Sequence, residues 1–335
     1  MESLILMALR DTKPQLKLKI GVVMDPISDI KVDKDTTLAL LLAAQKKGLQ
    51  LFYMEPKDLV LHNGELSAYM RFFNVNDDSD KWYQFLDSRK EMPEKVSNLD
   101  VILMRKDPPF DMDFVYTTQL LEIAENSGVF VTNKPQAIRD ANEKLYATWF
   151  PNLCPETLVT KNISNLKSFH GEQKDIIIKP LDGMGGSSIF RVRDKDSNAS
   201  VIFETMTEHN KRFCMAQRFV PEIKNGDKRI LMVDGEPIPF SLARVPSQGE
   251  NRGNLAAGGS GIIRELTKND KKICQEIGAV LRKRGLLFVG LDVIGNHLTE
   301  INVTSPTCLR EIERGTGLDI ADKVVNTIFW KIRKQ

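Results

Sequence analysis

The stretch Leu298-Thr-Glu-Ile-Asn-Val-Thr-Ser-Pro-Thr307 holds the residue types in this chain best suited to chemistry. Side chains alternate along a strand, so Leu298, Glu300 and Asn302 are expected on one face and Thr299, Ile301 and Val303 on the other. A carboxylate and a carboxamide oxygen two residues apart suit one hard cation such as magnesium, which takes oxygen ligands. Upstream, Phe288-Val-Gly-Leu-Asp-Val-Ile294 reads as a second strand and Asn296 lies in the turn between them. A hairpin is therefore expected to bring Asp292 beside Glu300. Taken alone, the same pattern is that of a polar strand face in water. What decides is whether the rest of the chain supplies groups that hold phosphate.

The middle of the chain offers such groups. Asp175-Ile-Ile-Ile-Lys-Pro-Leu-Asp-Gly-Met-Gly-Gly-Ser-Ser-Ile-Phe-Arg-Val192 reads as two strands flanking a glycine-rich loop. Glycine lets backbone N–H groups approach a phosphate closely. This is no Walker loop, because no Gly-Lys-Ser/Thr closes it and a strand follows where a helix belongs. Lys179 ends the apolar run Ile-Ile-Ile and is costly there without an anion. A second lysine, Lys144, is expected on a helix from Ala137 to Phe150 that Pro151 stops. A hairpin around Asp234-Gly235 is expected to set Arg229 and Arg244 on facing strands, where two guanidinium groups can fork onto phosphate or carboxylate. The segment from Pro246 to Gly261 is glycine-rich and without periodicity, the character of a lid, with Arg252 as its cation.

The first third must carry these elements. Lys19-Ile-Gly-Val-Val-Met24, a helix from Thr36 to Lys47 capped by Asp35, and Leu49-Gln-Leu-Phe-Tyr-Met54 make a β-α-β unit, hence a parallel sheet. Asn63-Gly64 between apolar runs signals a hairpin. No Gly-x-Gly-x-x-Gly follows the first strand, so a dinucleotide site is not indicated. Asp25, Arg105 and Asp107 fall just past strand ends, where open α/β sheets bind ligands or simply carry loop charge.

The 335 residues exceed one ordinary core, and 41% hydrophobic with 27% charged residues is the composition of a globular protein. With 47 Lys and Arg against 45 Asp and Glu, the balance indicates neither nucleic acid nor a membrane surface as partner. No apolar run is long enough to span a membrane. Cys154, Cys214, Cys274 and Cys308 are too scattered for zinc or a disulfide framework, which points to a reducing cytoplasm. No Ser/His/Asp or Cys/His arrangement is visible, so any chemistry rests on positioning and charge.

The chain resembles the prokaryotic glutathione synthetase family of the ATP-grasp superfamily from about Lys19 almost to its end. The likeness rests on Gly21-Val-Val-Met-Asp-Pro26, Leu103-Met-Arg-Lys-Asp-Pro-Pro-Phe110, Lys179-Pro-Leu-Asp-Gly-Met-Gly-Gly186, Arg252-Gly-Asn-Leu-Ala-Ala-Gly-Gly259 and Thr299-Glu-Ile-Asn-Val-Thr-Ser-Pro-Thr307. It departs at Ser260, where the resemblance implies an arginine. It implies an N-terminal α/β domain (19–136) after a tail (1–18), then a two-part ATP-grasp fold (137–222 and 223–335) holding ATP between two antiparallel sheets. It implies ligation of γ-glutamylcysteine to glycine through an acyl phosphate, in a homotetramer. Carried over by position, Lys144, Lys179, Gly183, Gly185 and Gly186 face the ATP phosphates. Gln217, Phe219 and Val220 hold adenine and Asp227 the ribose. Asp292, Glu300 and Asn302 take magnesium, with manganese as an alternative. Arg229, Arg244 and Arg252 act at the reacting groups. Asp25, Arg105, Arg229, Arg244, Asn302 and Ser305 bind substrate. Two rival readings share the phosphate and metal residues: a related ligase for another acid and amine, and a nucleotide-binding protein without turnover.

Overall fold

The computed structural model describes residues 18–88, 91–250, 253 and 258–334. The apolar run Lys19–Met24 forms β1, and α1 (Thr36–Lys46) returns the chain to β2 (Gln50–Met54), parallel to β1. Asp35 caps α1 by accepting from Leu38 N at 2.6 Å, as its place before the apolar periodicity predicts. Asn63 and Gly64 take φ of 49° and 81°, the left-handed pair that a two-residue hairpin turn needs, between β3 (Leu59–His62) and β4 (Glu65–Ala68). Then come β5 (Arg71–Val75), β6 (Tyr83–Phe85), β7 (Glu94–Lys95), β8 (Val101–Arg105), α2 (Met112–Asn126), β9 (Phe130–Thr132) and α3 (Pro135–Asp140).

The first sheet has the order β6-β5-β2-β1-β8-β9, and β3-β4-β7 form a small separate sheet. The stretch from β2 to β9 through β1 and β8 is parallel as expected, but β5 and β6 run antiparallel, so the sheet is mixed. The β3–β4 hairpin reverses the chain before β5 and leaves no crossover helix to make that pair parallel.

Two antiparallel sheets follow. The first takes β10 (Thr157–Thr160), β11 (Ile176–Pro180), β12 (Phe190–Val192) and β13 (Cys214–Arg218) in the order β10-β13-β11-β12. It buries Ile176, Ile178 and Val192 against Leu166 of α4 (Ile163–Gln173) and Phe203 of α5 (Ala199–Thr207). The second takes β14 (Asp227–Val233), β15 (Glu236–Val245), β16 (Ser260–Glu265), β17 (Phe288–Ile294) and β18 (His297–Asn302) in the order β16-β15-β14-β17-β18. Helix α6 (Lys268–Arg284) starts at a Thr267/Asp270 capping box and packs Ile273, Ile277 and Leu281 on this sheet. The last helices, α7 (Leu309–Thr316) and α8 (Ile320–Ile332), return to the first layer. Ile312, Ile320, Val324 and Ile328 share one core with Ile20, Leu38 and Phe73. Each such buried aliphatic side chain contributes about 1.5–3 kcal/mol. No helix among the described residues is long and apolar enough to cross a membrane.

Three local expectations are corrected. The helix expected from Ala137 to Phe150 ends at Asp140, and Lys144 sits in a turn before a short 3-10 helix (Tyr146–Trp149). Tertiary contacts outweigh helix propensity there, because Asn142 and Glu143 are both engaged by residues just past the ends of β11 and β18. Ser260 and Gly261, expected in the long loop, open a strand that the sequence pattern did not reveal, pairing with Val245 and Arg244. Finally, β18 does not alternate strictly. Asp292 pairs with Glu300 while Val293 pairs with Leu298, so Thr299 is one extra residue on β18. The bulge sends Leu298 into the core with Ile301 and leaves Glu300 on the opposite, polar face.

Candidate active site

A cleft opens between the two antiparallel sheets. Its walls include Lys144, Lys179, Gly183, Gly185 and Gly186 on one side and Asp227, Asp292, Thr299 and Glu300 on the other. Lys179 lies on β11 and is buried, as is Lys144. Both ammonium groups face Glu300 Oε1, Lys179 Nζ at 3.4 Å and Lys144 Nζ at 3.7 Å. Burial alone would raise the Glu300 carboxyl, but the two lysines outweigh it and hold it below the usual range. Lys144 Nζ also donates to the Gly183 carbonyl at 2.5 Å, which ties it to the glycine-rich loop.

The turn that presents Lys144 is fixed from both sides. Asn142 Nδ2 donates to the Leu181 carbonyl at 3.0 Å, while its Oδ1 accepts from Leu145 N at 2.9 Å. Glu143 Oε1 accepts from Val303 N at 3.0 Å, Thr304 N at 3.1 Å and Thr304 Oγ1 at 2.8 Å. The Glu143 carbonyl accepts from Ile301 N at 2.9 Å. Burial pushes the Glu143 carboxyl up, and the Thr304 hydrogen bonds pull it down in part. Sequence reasoning missed Glu143. Its only signal was adjacency to Lys144.

The floor is a charge network. Arg229 forks onto Asp292, Nε to Oδ1 at 2.6 Å and Nη2 to Oδ2 at 3.1 Å, and Arg244 Nη2 reaches the same Oδ2 at 3.0 Å. Arg244 also pairs with Asp227. Burial works against the Asp292 charge, yet Arg229 and Arg244 hold its carboxyl well below the ordinary carboxylate range. Asp227 differs. Burial dominates, opposed by Arg244 and reinforced by the Asp292 charge, and its carboxyl is pushed up to about 6. Its Oδ1 is buried without a partner among the described residues. A Cβ on Gly253 would lie 2.2 Å from the Arg244 carbonyl and 3.2 Å from Asp227 Cβ, so only glycine passes over this pair.

The far end of the cleft is apolar. Ile177, Ile223 and Ile294 line it together with Gln217, Phe219 and Val220. Phe219 N donates to the Asp175 carbonyl at 2.9 Å, and the Arg191 guanidinium lies 3.5 Å from the Phe219 ring centre. Arg191 is itself held by Asp175, Nε at 2.9 Å and Nη2 at 2.6 Å. A flat heterocycle fits such an end and its phosphates the lysine end.

A second group lies at the carboxyl ends of β1 and β8. Arg105 is buried and donates from Nε to Thr37 Oγ1 at 3.0 Å and from Nη2 to the Pro306 carbonyl at 3.1 Å. Asp25 accepts from Asp107 N at 2.8 Å and pairs with Lys106 at 2.8 Å. Ser305 Oγ donates to the Arg105 carbonyl at 3.4 Å. The segment after β18 thus runs from the cleft to this second group. Arg252 lies outside the described residues, as do 251 and 254–257 of the expected lid.

The donor set fits a hard divalent cation. Asp292 and Glu300 are cross-strand partners, and Asn302, two residues on, pairs with Gly290 on the same strands. Its Nδ2 donates to the Gly290 carbonyl at 3.2 Å. Three oxygen-bearing side chains and no thiolate or imidazole suit magnesium or manganese rather than zinc. Among the described residues no group of three or more His, Cys, Asp or Glu gathers as a metal site, and the Asn302 carboxamide is a further oxygen donor on these strands.

The description of the prokaryotic glutathione synthetase N-terminal domain matches residues 18–139, and that of its ATP-grasp domain matches residues 143–317. The chain belongs to the prokaryotic glutathione synthetase family. Among members of that family, the glutathione synthetase of Escherichia coli O6:H1 is 55% identical over 318 residues, covering 95% of this chain and 100% of its own. That of Shewanella oneidensis is 54% identical over 311 residues, covering 93% and 98%. Among solved structures, the D-cycloserine synthetase DcsG superposes with a TM-score of 0.63 at 12% identity over 93% of this chain and 99% of its own. The ATP-grasp ligase PsnB, complexed with minimal precursor, Mg and ADP, does so with 0.61 at 14% over 94% and 98%. At such identities the likeness is one of fold, and this glutathione synthetase family member shares that architecture.

Proposed function

We propose that the chain joins γ-glutamylcysteine to glycine, driven by ATP, and so forms glutathione, ADP and phosphate. The observation that carries this reading is family-level identity over 95% of the chain combined with a cleft that aims two buried lysines at a carboxylate strand. The substrate carboxylate takes the γ-phosphoryl group, and the glycine amine attacks the acyl phosphate formed. In this reading Lys144, Lys179 and the loop Gly183–Gly186 orient the phosphates, while Phe219 and Val220 offer backbone to adenine. Asp227 takes the ribose. Arg229 and Arg244 lie behind Asp292 and stabilise charge that develops on the transferred group. Asp25, Arg105, Asn302 and Ser305 hold the dipeptide, and Arg252 closes over it. Asp292, Glu300 and Asn302 hold magnesium, or manganese, which neutralises phosphate charge when bound.

A homotetramer in the cytoplasm, divided at about 136 and 222, completes the proposal. Phosphate release from ATP across a panel of acids and amines tests it. The expected result is release that needs γ-glutamylcysteine and forms peptide only with glycine present. Preference for a different acid or amine assigns the chain to a related ligase, and no release with any pair reduces it to a nucleotide-binding protein.

A further inference from the structure

Lys144 and Lys179 reach one and the same oxygen, Glu300 Oε1, at 3.7 and 3.4 Å. The lysine side chains are 6% exposed and that of Glu300 20%. Two buried ammonium groups with no anion beside them would carry a large desolvation penalty, and this carboxylate relieves it. The same carboxylate stands opposite Asp292 on the cation-binding face. Its charge is shared between the lysines and any divalent cation it binds, so a cation on this carboxylate weakens its hold on the lysines.

We propose that Glu300 is an internal substitute for the nucleotide phosphate. It neutralises Lys144 and Lys179 in the nucleotide-free protein and gives them up when a divalent cation draws the carboxylate away. This rests on the nucleotide reading of the cleft. Without the cation, an incoming phosphate competes with Glu300 for both lysines and meets its negative charge. With the cation, the lysines are released toward the phosphate, so cation and nucleotide each strengthen binding of the other. Lys144 stays aimed through this exchange because the Gly183 carbonyl also holds it, at 2.5 Å. Asp292 has no such role, since its ion-pair partners are Arg229 and Arg244.

The consequence runs against the usual outcome of deleting a metal ligand: metal-free nucleotide should bind more tightly to the variant. The experiment is calorimetric titration of ADP and of adenosine into the full chain, wild type and Glu300→Gln, in excess EDTA and in saturating magnesium. In EDTA, ADP is expected to bind Glu300→Gln about tenfold more tightly than wild type, with the magnesium enhancement reduced by at least that factor. Adenosine, which has no phosphate, should bind both proteins equally. A folded Glu300→Gln whose metal-free ADP affinity equals or falls below that of wild type overturns the proposal. So does a gain shared equally by adenosine, which would mark a change of cleft shape. Should Glu300→Gln not fold, Glu300→Asp shortens the reach to the lysines and must show a smaller gain of the same sign. If wild type binds neither ADP nor adenosine, the nucleotide reading itself has failed and this proposal with it.

Discussion

Arg229 grips Asp292 at two points, Nε at 2.6 Å and Nη2 at 3.1 Å, across directly paired positions of β14 and β17. Both side chains are almost fully buried, 7% and 5% exposed. A buried pair adds little against an apolar replacement, but removing one partner strands the other. Asp292→Ala strands Arg229 and leaves Arg244 with Asp227 alone. It should cost about 3–5 kcal/mol, read as a lower urea midpoint at unchanged slope. A midpoint equal to wild type contradicts the network.

Lys179→Met keeps the length of the side chain and removes its charge. It should weaken ATP binding about 10- to 100-fold, the worth of one hydrogen bond to a charged group. Affinity for γ-glutamylcysteine should stay unchanged, because the second group around Arg105 does not include Lys179. Equal ATP affinity in calorimetric titration would remove Lys179 from the phosphate end.

Gly278 of α6 and Gly235 of the β14–β15 turn meet backbone to backbone. A Cβ on Gly278 would lie 2.1 Å from the Gly235 carbonyl oxygen, and one on Gly235 2.3 Å from that of Gly278. Alanine gains about 1 kcal/mol over glycine inside a helix, whereas forcing extra volume into packed backbone costs about 1–3 kcal/mol or more. The clash wins, so Gly278→Ala should lower Tm. Gly171 in α4 has nothing within 4 Å of its would-be Cβ, and Gly171→Ala should raise it. Thermal melts of the two variants moving in the same direction would refute the packing argument.

Stability against pH should carry a mark of Asp227. Its folded carboxyl is pushed up to about 6 from an ordinary value of 3.8. Folded protein therefore binds more protons than unfolded chain between those values, and this contribution to stability grows as pH falls through that window. It is absent above the window. Relative to Asp227→Asn, wild type should gain up to about 3 kcal/mol as pH drops from 6 toward 4. Denaturant melts at several pH values measure this, and a constant difference between the two proteins would count against it.

Much of the site was legible because strand periodicity and turn residues report it directly. Asp234-Gly235 and Asn63-Gly64 mark hairpins, and the Asp292–Glu300 pairing follows from the turn between their strands. What escaped were features made by contacts distant in sequence. Thr299 bulges out of β18 and breaks the alternation that placed Leu298 beside Glu300. Lys144 leaves the helix because Glu143 is held 160 residues away by Val303. Strand β16 is exposed along much of its length and lacks the apolar signature that marks a buried strand.

The return of α8 to the first layer ties the order of synthesis to the order of folding. Val324 and Ile328 complete a core begun by Ile20 and Leu38, nearly the whole chain earlier. A ribosome that has delivered both ATP-grasp sheets still retains the helix that covers the opening strands. Domains usually fold in sequence from the amino end during translation. Here the first layer emerges with an uncovered apolar face and waits on a helix translated after both sheets. Truncation before α8 should thus expose the apolar face of the first layer, and chaperone capture should be strongest there.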